Sequence, residues 1–441
     1  MLTVRLSGLG WLVLVLATPD AIGHATTLRP RGGILRRHRC RAPPLCMKIR
    51  IGILGMPNVG KSCLFNALAQ QSIAQAANFP FCTIEPNIAP ISVPTRYLAR
   101  LGTFAGTQRT VAATIEWVDV AGLARGASRG EGLGNKFLAN ARECDAICHV
   151  VRSFDDPDTI HVEGRVNPAK DAELVNLELL LADTAHVERR LEKTTCRGEE
   201  RAALEELQLA LQHGVPARAA GLTKAQIMLP GVKSMGLLTL KPCIYAFNVD
   251  EIDFALDHDA AVSSAEHTLQ AIQYRDPIMD RFTIVSAKLE AELGSLSSQE
   301  QARYLDGIGM KMGSLGTDLS LPAADTESMQ TLDGLLSYNV LPLLVCELLG
   351  LSLAYTGPGV SSDSTQTTKA HLFRQSELSA SGLASRIHGD LERGFMHAEV
   401  VSASELLAHD TFAAARGAGC VRTEGRDYAL EDDDVLLIKW R

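Results

Sequence analysis

The sequence has no Cys-x-x-Cys pair and no Cys/His spacing of the kind that holds zinc, although its 441 residues include ten cysteines. Cys40, Cys46, Cys63, Cys82, Cys144, Cys148, Cys196, Cys243, Cys346 and Cys420 are scattered, which argues against a disulfide framework and for reduced, mostly buried thiols. Excess positive charge is missing too. Forty-three Lys and Arg stand against 51 Asp and Glu, a net −8, so bulk charge does not hold nucleic acid. The stretch Gly350–Arg441, with nine basic and thirteen acidic residues, has no basic patch either, and no sequence-specific nucleic-acid reader is expected. The apolar run Trp11 to Ala17 is too short to span a bilayer, and no membrane partner is expected.

Acid is nearly absent from the first 46 residues, where Asp20 stands alone. Arg5 precedes the short apolar run, and Thr26 to Cys46 then carries six arginines. This reads as a signal-like core followed by a transit-like stretch, so 1–46 is taken as a targeting leader to a plastid, with a mitochondrion as the second choice. The alternative is a true start at Met47 and a cytoplasmic protein. Without the leader, 36 basic and 50 acidic residues remain, a net −14.

Apolar runs over Ile49–Leu54, Ile115–Val120, Ala146–Val151, Cys243–Asn248 and Phe282–Val285 read as strands of an open parallel α/β sheet. The motif-like clusters fall at their C-terminal ends, where such sheets bind ligands. Leu204, Leu207 and Leu211 share a helical face that Gly214 and Pro216 terminate, which marks a helical insertion about 183–233, a spacer or a partner-binding arm. From about Ser352 the chain reads as a separate small unit with short strands at Ala370–Arg374, Ala398–Ser402 and Val435–Trp440.

The first strand runs into Gly55-Met56-Pro57-Asn58-Val59-Gly60-Lys61-Ser62, which fits G-x-x-x-x-G-K-[ST]. Its glycines let backbone N–H groups wrap phosphates, Lys61 supplies charge to the β and γ phosphates, and Ser62 is a ligand for Mg²⁺. Asp119-x-x-Gly122 adds a carboxylate for the same metal and a backbone N–H that senses the γ-phosphate. Thr83, between the two motifs, is the switch-loop hydroxyl that closes on the metal. Leu123 stands where Ras-like enzymes have the glutamine that orients water, and leucine forms no hydrogen bond through its side chain. His149 is the candidate to position that water; the alternative is a hydrogen-bonded core histidine. A guanine reader carries Asn-Lys-x-Asp, whereas this chain has Asn248-Val249-Asp250-Glu251. The flanking lysine is gone and the carboxylate is one methylene longer, which removes the discrimination for guanine and admits adenine.

These motifs, together with Asn78-to-Asn87, Gly130-to-Leu138, Lys241-Pro242, Ser286-Ala287-Lys288, Ile387-to-Phe395 and Glu424-to-Tyr428, resemble the Obg-like ATPase family, the YchF proteins. The resemblance covers nearly all of Lys48–Arg441. It implies a G domain over 47–335 interrupted by a helical arm, a β-grasp TGS domain over 352–440, Mg²⁺-dependent hydrolysis of ATP in preference to GTP, and association with ribosomes. It also implies that Asn58, Val59, Gly60, Lys61, Ser62, Cys63 and Val249 bind nucleotide, and the motifs add Gly55, Asn248, Glu251, Ser286 and Ala287 to that site. Ser62, Thr83 and Asp119 would hold the metal, and His149, Lys61 and Gly122 would serve catalysis. Cys63 replaces a threonine, Arg125 and Arg129 replace lysines, His371 replaces a tryptophan, and Asp433 replaces a glycine. A monomer is expected. The rivals are a GTPase with an atypical base site, a nucleotide-gated scaffold with negligible hydrolysis, and, least supported, a metabolic kinase.

Overall fold

The computed structural model describes residues 48–75, 87–107, 109–120, 133–157, 159–193, 197–255, 257–307, 336–357, 367–375 and 377–441. The leader, Thr83, Gly122, Leu123, Arg125 and Arg129 lie outside the described residues. In chain order the strands are β1 (Arg50–Leu54), β2 (Ile88–Ser92), β3 (Arg109–Val111), β4 (Thr114–Asp119), β5 (Ala146–Arg152), β6 (Cys243–Asn248), β7 (Asp280–Val285), β8 (Leu351–Thr356), β9 (Thr367–Arg374), β10 (Phe395–Ser402), β11 (Arg422–Glu424) and β12 (Asp434–Trp440).

Strands β5 and β6 read AICHVVR and CIYAFN, and every residue in both is buried. Such unbroken burial belongs to parallel strands covered on both faces. They form the centre of a six-stranded sheet of order β2-β4-β1-β5-β6-β7, in which only β2 runs antiparallel to its neighbour. Pro90 is tolerated in β2 because that strand lies at the edge. The strand order turns back at β1, which has β4 on one side and β5 on the other, and the glycine-rich turn leaves the sheet at that point.

The helical insertion is wider than expected from the 183–233 pattern. Helix Pro168–Leu191 starts on the Asn167 side chain, which accepts from the Lys170 N–H, with Pro168 at the first helical position. Its first half packs Ala172, Val175 and Leu179 into the main core, and its second half sends Leu180 and Val187 into a separate arm core. Helix Gly198–Gln212 fills that arm core with Leu204, Leu207 and Leu211. One helix therefore serves both bodies, so amphipathic period alone does not mark where the arm begins. Asp183 ties the root: its carboxylate accepts from Arg142 at 2.8 Å, from the backbone N–H of Leu238 and Thr239 at 3.1 and 2.8 Å, and from the Thr239 hydroxyl at 2.8 Å.

The C-terminal unit is not separate in the way the sequence suggests. Its sheet has the order β11-β10-β12-β8-β9-β3, so β3 from the N-terminal half forms one edge, parallel to β9. One of its cores joins Tyr97, Leu98, Leu101 and Ala113 to Tyr355, Ala370 and Val401. Helix Leu98–Phe104 shares the cover of one apolar face of this sheet with Ala403, Leu406 and Ala415 from the unit's own short helices. The described helices include none long and apolar enough to cross a membrane.

Candidate nucleotide site

Two glycines shape the turn after β1. A Cβ at Gly55 would lie 2.3 Å from the Val150 carbonyl oxygen, and one at Gly60 would lie 2.3 Å from the Asn248 side-chain nitrogen. Gly60 also has a φ of 94° and Asn58 one of 61°, a conformation asparagine tolerates better than most residues. Helix Lys61–Gln75 starts directly behind the turn, so its free N–H groups and positive end face the loop.

Lys61 is 7% exposed, and its Nζ donates to the Met56 carbonyl at 2.5 Å. Burial lowers its pKa to about 8, against the opposing pull of Asp119. The Ser62 hydroxyl donates to Asp119 Oδ2 at 3.0 Å, and Asp119 Oδ1 is buried without a partner. A hydroxyl and a carboxylate converging from the loop and the end of β4, with one carboxylate oxygen orphaned, fit the hard-oxygen preference of Mg²⁺. Water and phosphate oxygens would complete its shell.

Asn248 joins the two ends of the site. Its Nδ2 donates to the Val59 carbonyl at 3.0 Å, and its Oδ1 accepts from the Ala287 N–H at 3.0 Å. Cys63 reinforces the link by donating to the Ala287 carbonyl at 3.2 Å, and burial raises its thiol pKa. Ser286 is fully buried and its Oγ has no partner. Val249 is buried, and its N–H already donates to the Val285 carbonyl at 2.9 Å, so that amide is not free to read a base. Glu251 opens helix Glu251–Ala255 with both oxygens engaged, Oε1 by the Lys288 ammonium and Oε2 by the Tyr304 hydroxyl at 3.1 Å.

Among the described residues no hydrogen bond joins His149 to this cluster, and its buried Nδ1 has no partner. His149 is 1% exposed on β5, and its ring faces Tyr245 at 5.3 Å. It lines a cavity of about 270 Å³ at the root of the arm with Tyr245, Asn176 and Arg218, and no residue of the glycine-rich turn lines that cavity. Burial first, then the Lys61 charge, lowers its pKa to about 3, so the imidazole is neutral at physiological pH. The alternation of side chains along β5 explains the placement: the strand ends at the site, but this side chain points to the arm.

Sequence reasoning missed the loop after β5. The Asn58 amide donates to the Ile160 carbonyl at 3.1 Å, which brings this loop against the glycine-rich turn. Buried Arg152 holds it by donating to the carbonyls of Phe154, Asp156 and Thr159. The Glu163 N–H donates to His161 Nδ1 at 3.1 Å, so the proton is on Nε2, 2.9 Å from Asp171. Arginine at the end of a fully buried strand was the available signal, because a buried guanidinium requires acceptors.

A Gly-x-x-x-x-Gly-Lys-Ser turn at the switch point of a parallel sheet, bracketed by an asparagine at the end of β6, is the geometry of a P-loop nucleotide-binding domain of the G-protein type. Residues 50–210 match the family model for 50S ribosome-binding GTPases, and residues 364–441 match the YchF-GTPase C-terminal model, described as a protein of unknown function. The chain is 37% identical over 402 residues to the ribosome-binding ATPase YchF of Bacillus subtilis, covering 89% of this chain and 100% of that protein. It is 35% identical over 406 residues to the protein of that name from Haemophilus influenzae, covering 89% and 99%. Among solved structures, the Schizosaccharomyces pombe YchF GTPase superposes with a TM-score of 0.70 at 29% identity, covering 89% and 98%. A GTP-binding protein from Pyrococcus horikoshii, at 19% identity and a TM-score of 0.50, shares the fold. The chain belongs to the YchF family.

Proposed function

We propose that this chain is a slow, Mg²⁺-dependent ATPase that acts as a conformational switch on the ribosome. The observation that carries the hydrolytic part is the convergence of buried Lys61, Ser62 and the half-orphaned Asp119 at the mouth of the loop. Lys61 and the loop amides bind the phosphates and stabilise the charge of a loose transition state. The ion, when bound, neutralises the β and γ oxygens. Thr83 and the Asp119–Leu123 segment are the elements that ATP would order and hydrolysis would release.

Preference for ATP is supported by Val249 in place of a lysine and by a Glu251 carboxylate already engaged by Lys288. The relatives carry both descriptions, ATPase for the bacterial proteins and GTPase for the yeast structure, so GTP is the second reading. Ribosome binding is supported by the bacterial relatives' names, and targeting to a plastid or mitochondrion by the acid-poor leader. Side-by-side titration of ATP and GTP with Mg²⁺ tests the nucleotide choice. Tighter ATP is expected, and tighter GTP would replace it with the GTPase reading. Single-turnover hydrolysis with ribosomes added tests the switch. No turnover under those conditions would leave a nucleotide-gated scaffold. A reporter fused behind residues 1–46 tests the leader.

A further inference from the structure

We infer that Tyr304 is the positioning residue for nucleotide selection, because it holds the Glu251 carboxylate in contacts that engage both of its oxygens and compete with guanine. The inference rests on the ATP-preferring reading and supplies its physical cause. To read guanine, a carboxylate must accept from N1–H and from the exocyclic N2 amino group with its two oxygens. Here Oε1 is held by Lys288 and Oε2 by Tyr304.

The two partners are not equivalent. The Lys288 side chain is 68% exposed, so water competes for its ammonium, and an exposed pair of this kind is a weak restraint. Tyr304 is half-buried on helix Ser298–Gly307 and its ring packs against the main core. Its hydroxyl is fixed in space by that ring, and it touches Glu292 as well as Glu251. Glu292 sits on helix Ala287–Gly294, which starts directly behind the Ser286 base loop. The phenol thus pins three helices at one point beside the base end of the site.

A phenol carries one proton and two carboxylates compete for it. Removing the hydroxyl releases Glu251 Oε2. Removing the charge of Glu292 gives the proton to Glu251 and tightens the hold. The two changes must move nucleotide preference in opposite directions, which a merely structural tyrosine would not produce.

The test is equilibrium titration of fluorescent ATP, GTP and ITP, with Mg²⁺, on the full chain and on Y304F and E292Q. In Y304F the GTP affinity is expected to rise about three- to ten-fold, the net weight of one ordinary hydrogen bond, with ATP within about two-fold of wild type. ITP, which lacks the N2 amino group, should gain less than GTP. In E292Q the ATP-to-GTP ratio is expected to rise about two- to three-fold. An unchanged ratio in Y304F, or a parallel loss of ATP and GTP, would overturn the inference. Should Y304F not fold, E292Q decides alone, and an unchanged or lower ratio there would overturn it. If the wild-type chain binds GTP more tightly than ATP, the ATP preference fails by itself. The Tyr304 inference is still judged by the change in ratio from wild type to variant.

Discussion

The phosphate end of the site is built from backbone and one buried cation, whereas the base end is built from side chains that hold one another. At the phosphate end, Gly55 and Gly60 matter for the atoms they lack, since a Cβ at either would strike the Val150 carbonyl or Asn248. At the base end, Glu251, Lys288, Tyr304 and Glu292 form a small network of side-chain contacts. The difference teaches that binding triphosphate is a property of chain path, while choosing a base is a property of pairing. Asn248 is the joint, bonded to Val59 on one side and Ala287 on the other.

The largest expected effect is at the phosphate end. Lys61→Ala should lower hydrolysis by about 10²- to 10³-fold or more, measured as single-turnover phosphate release. Near-wild-type turnover would sink the mechanism. Gly60→Ala should come next, because it strains the joint itself. Affinity for ATP and GTP should fall together, and urea unfolding should show a loss of about 1–3 kcal/mol. Selective loss of one nucleotide would blur the distinction between the ends.

The pH dependence of binding separates the ends without mutation. Free Lys61 has a pKa lowered to about 8, and the phosphates of a bound nucleotide would raise it. Affinity should therefore be level below pH 8 and fall as pH rises above it, by up to about ten-fold per unit, equally for ATP and GTP. A level profile to pH 9.5 would mean Lys61 does not meet the phosphates. At the base end, Glu251→Asp shortens the carboxylate away from Lys288 and Tyr304, and should raise GTP affinity by about three- to ten-fold with little change for ATP. His149→Ala lies outside both ends. It should leave nucleotide affinity within about two-fold and cost about 2–4 kcal/mol of stability, the range for truncating a buried side chain. A ten-fold slower turnover of the folded variant would return His149 to the catalytic site.

The loop motif, the asparagine and the strand cores were legible because each depends on residues adjacent in sequence or on unbroken apolar runs. At Asp433, where the family resemblance put a glycine, φ is 62°, the left-handed conformation that a glycine would supply. His371 was not legible. It stands where a tryptophan was expected and settles in the core by bonding Thr356 at 2.9 Å, a partner fifteen residues away on the neighbouring strand. Strand β3 escaped notice because three residues, Arg-Thr-Val, carry no period long enough to read.

By itself the sequence determined the glycine-rich turn, the hydroxyl–carboxylate pair of Ser62 and Asp119, and the absence of the guanine-reading lysine, since these follow from residue type and local chain path. Only the tertiary structure decided that β3 completes the C-terminal sheet, that His149 faces the arm cavity, and that Tyr304 reaches across 53 positions to Glu251. Those outcomes depend on which surfaces meet when distant segments bury their apolar faces, and a pattern read along the chain does not contain that pairing.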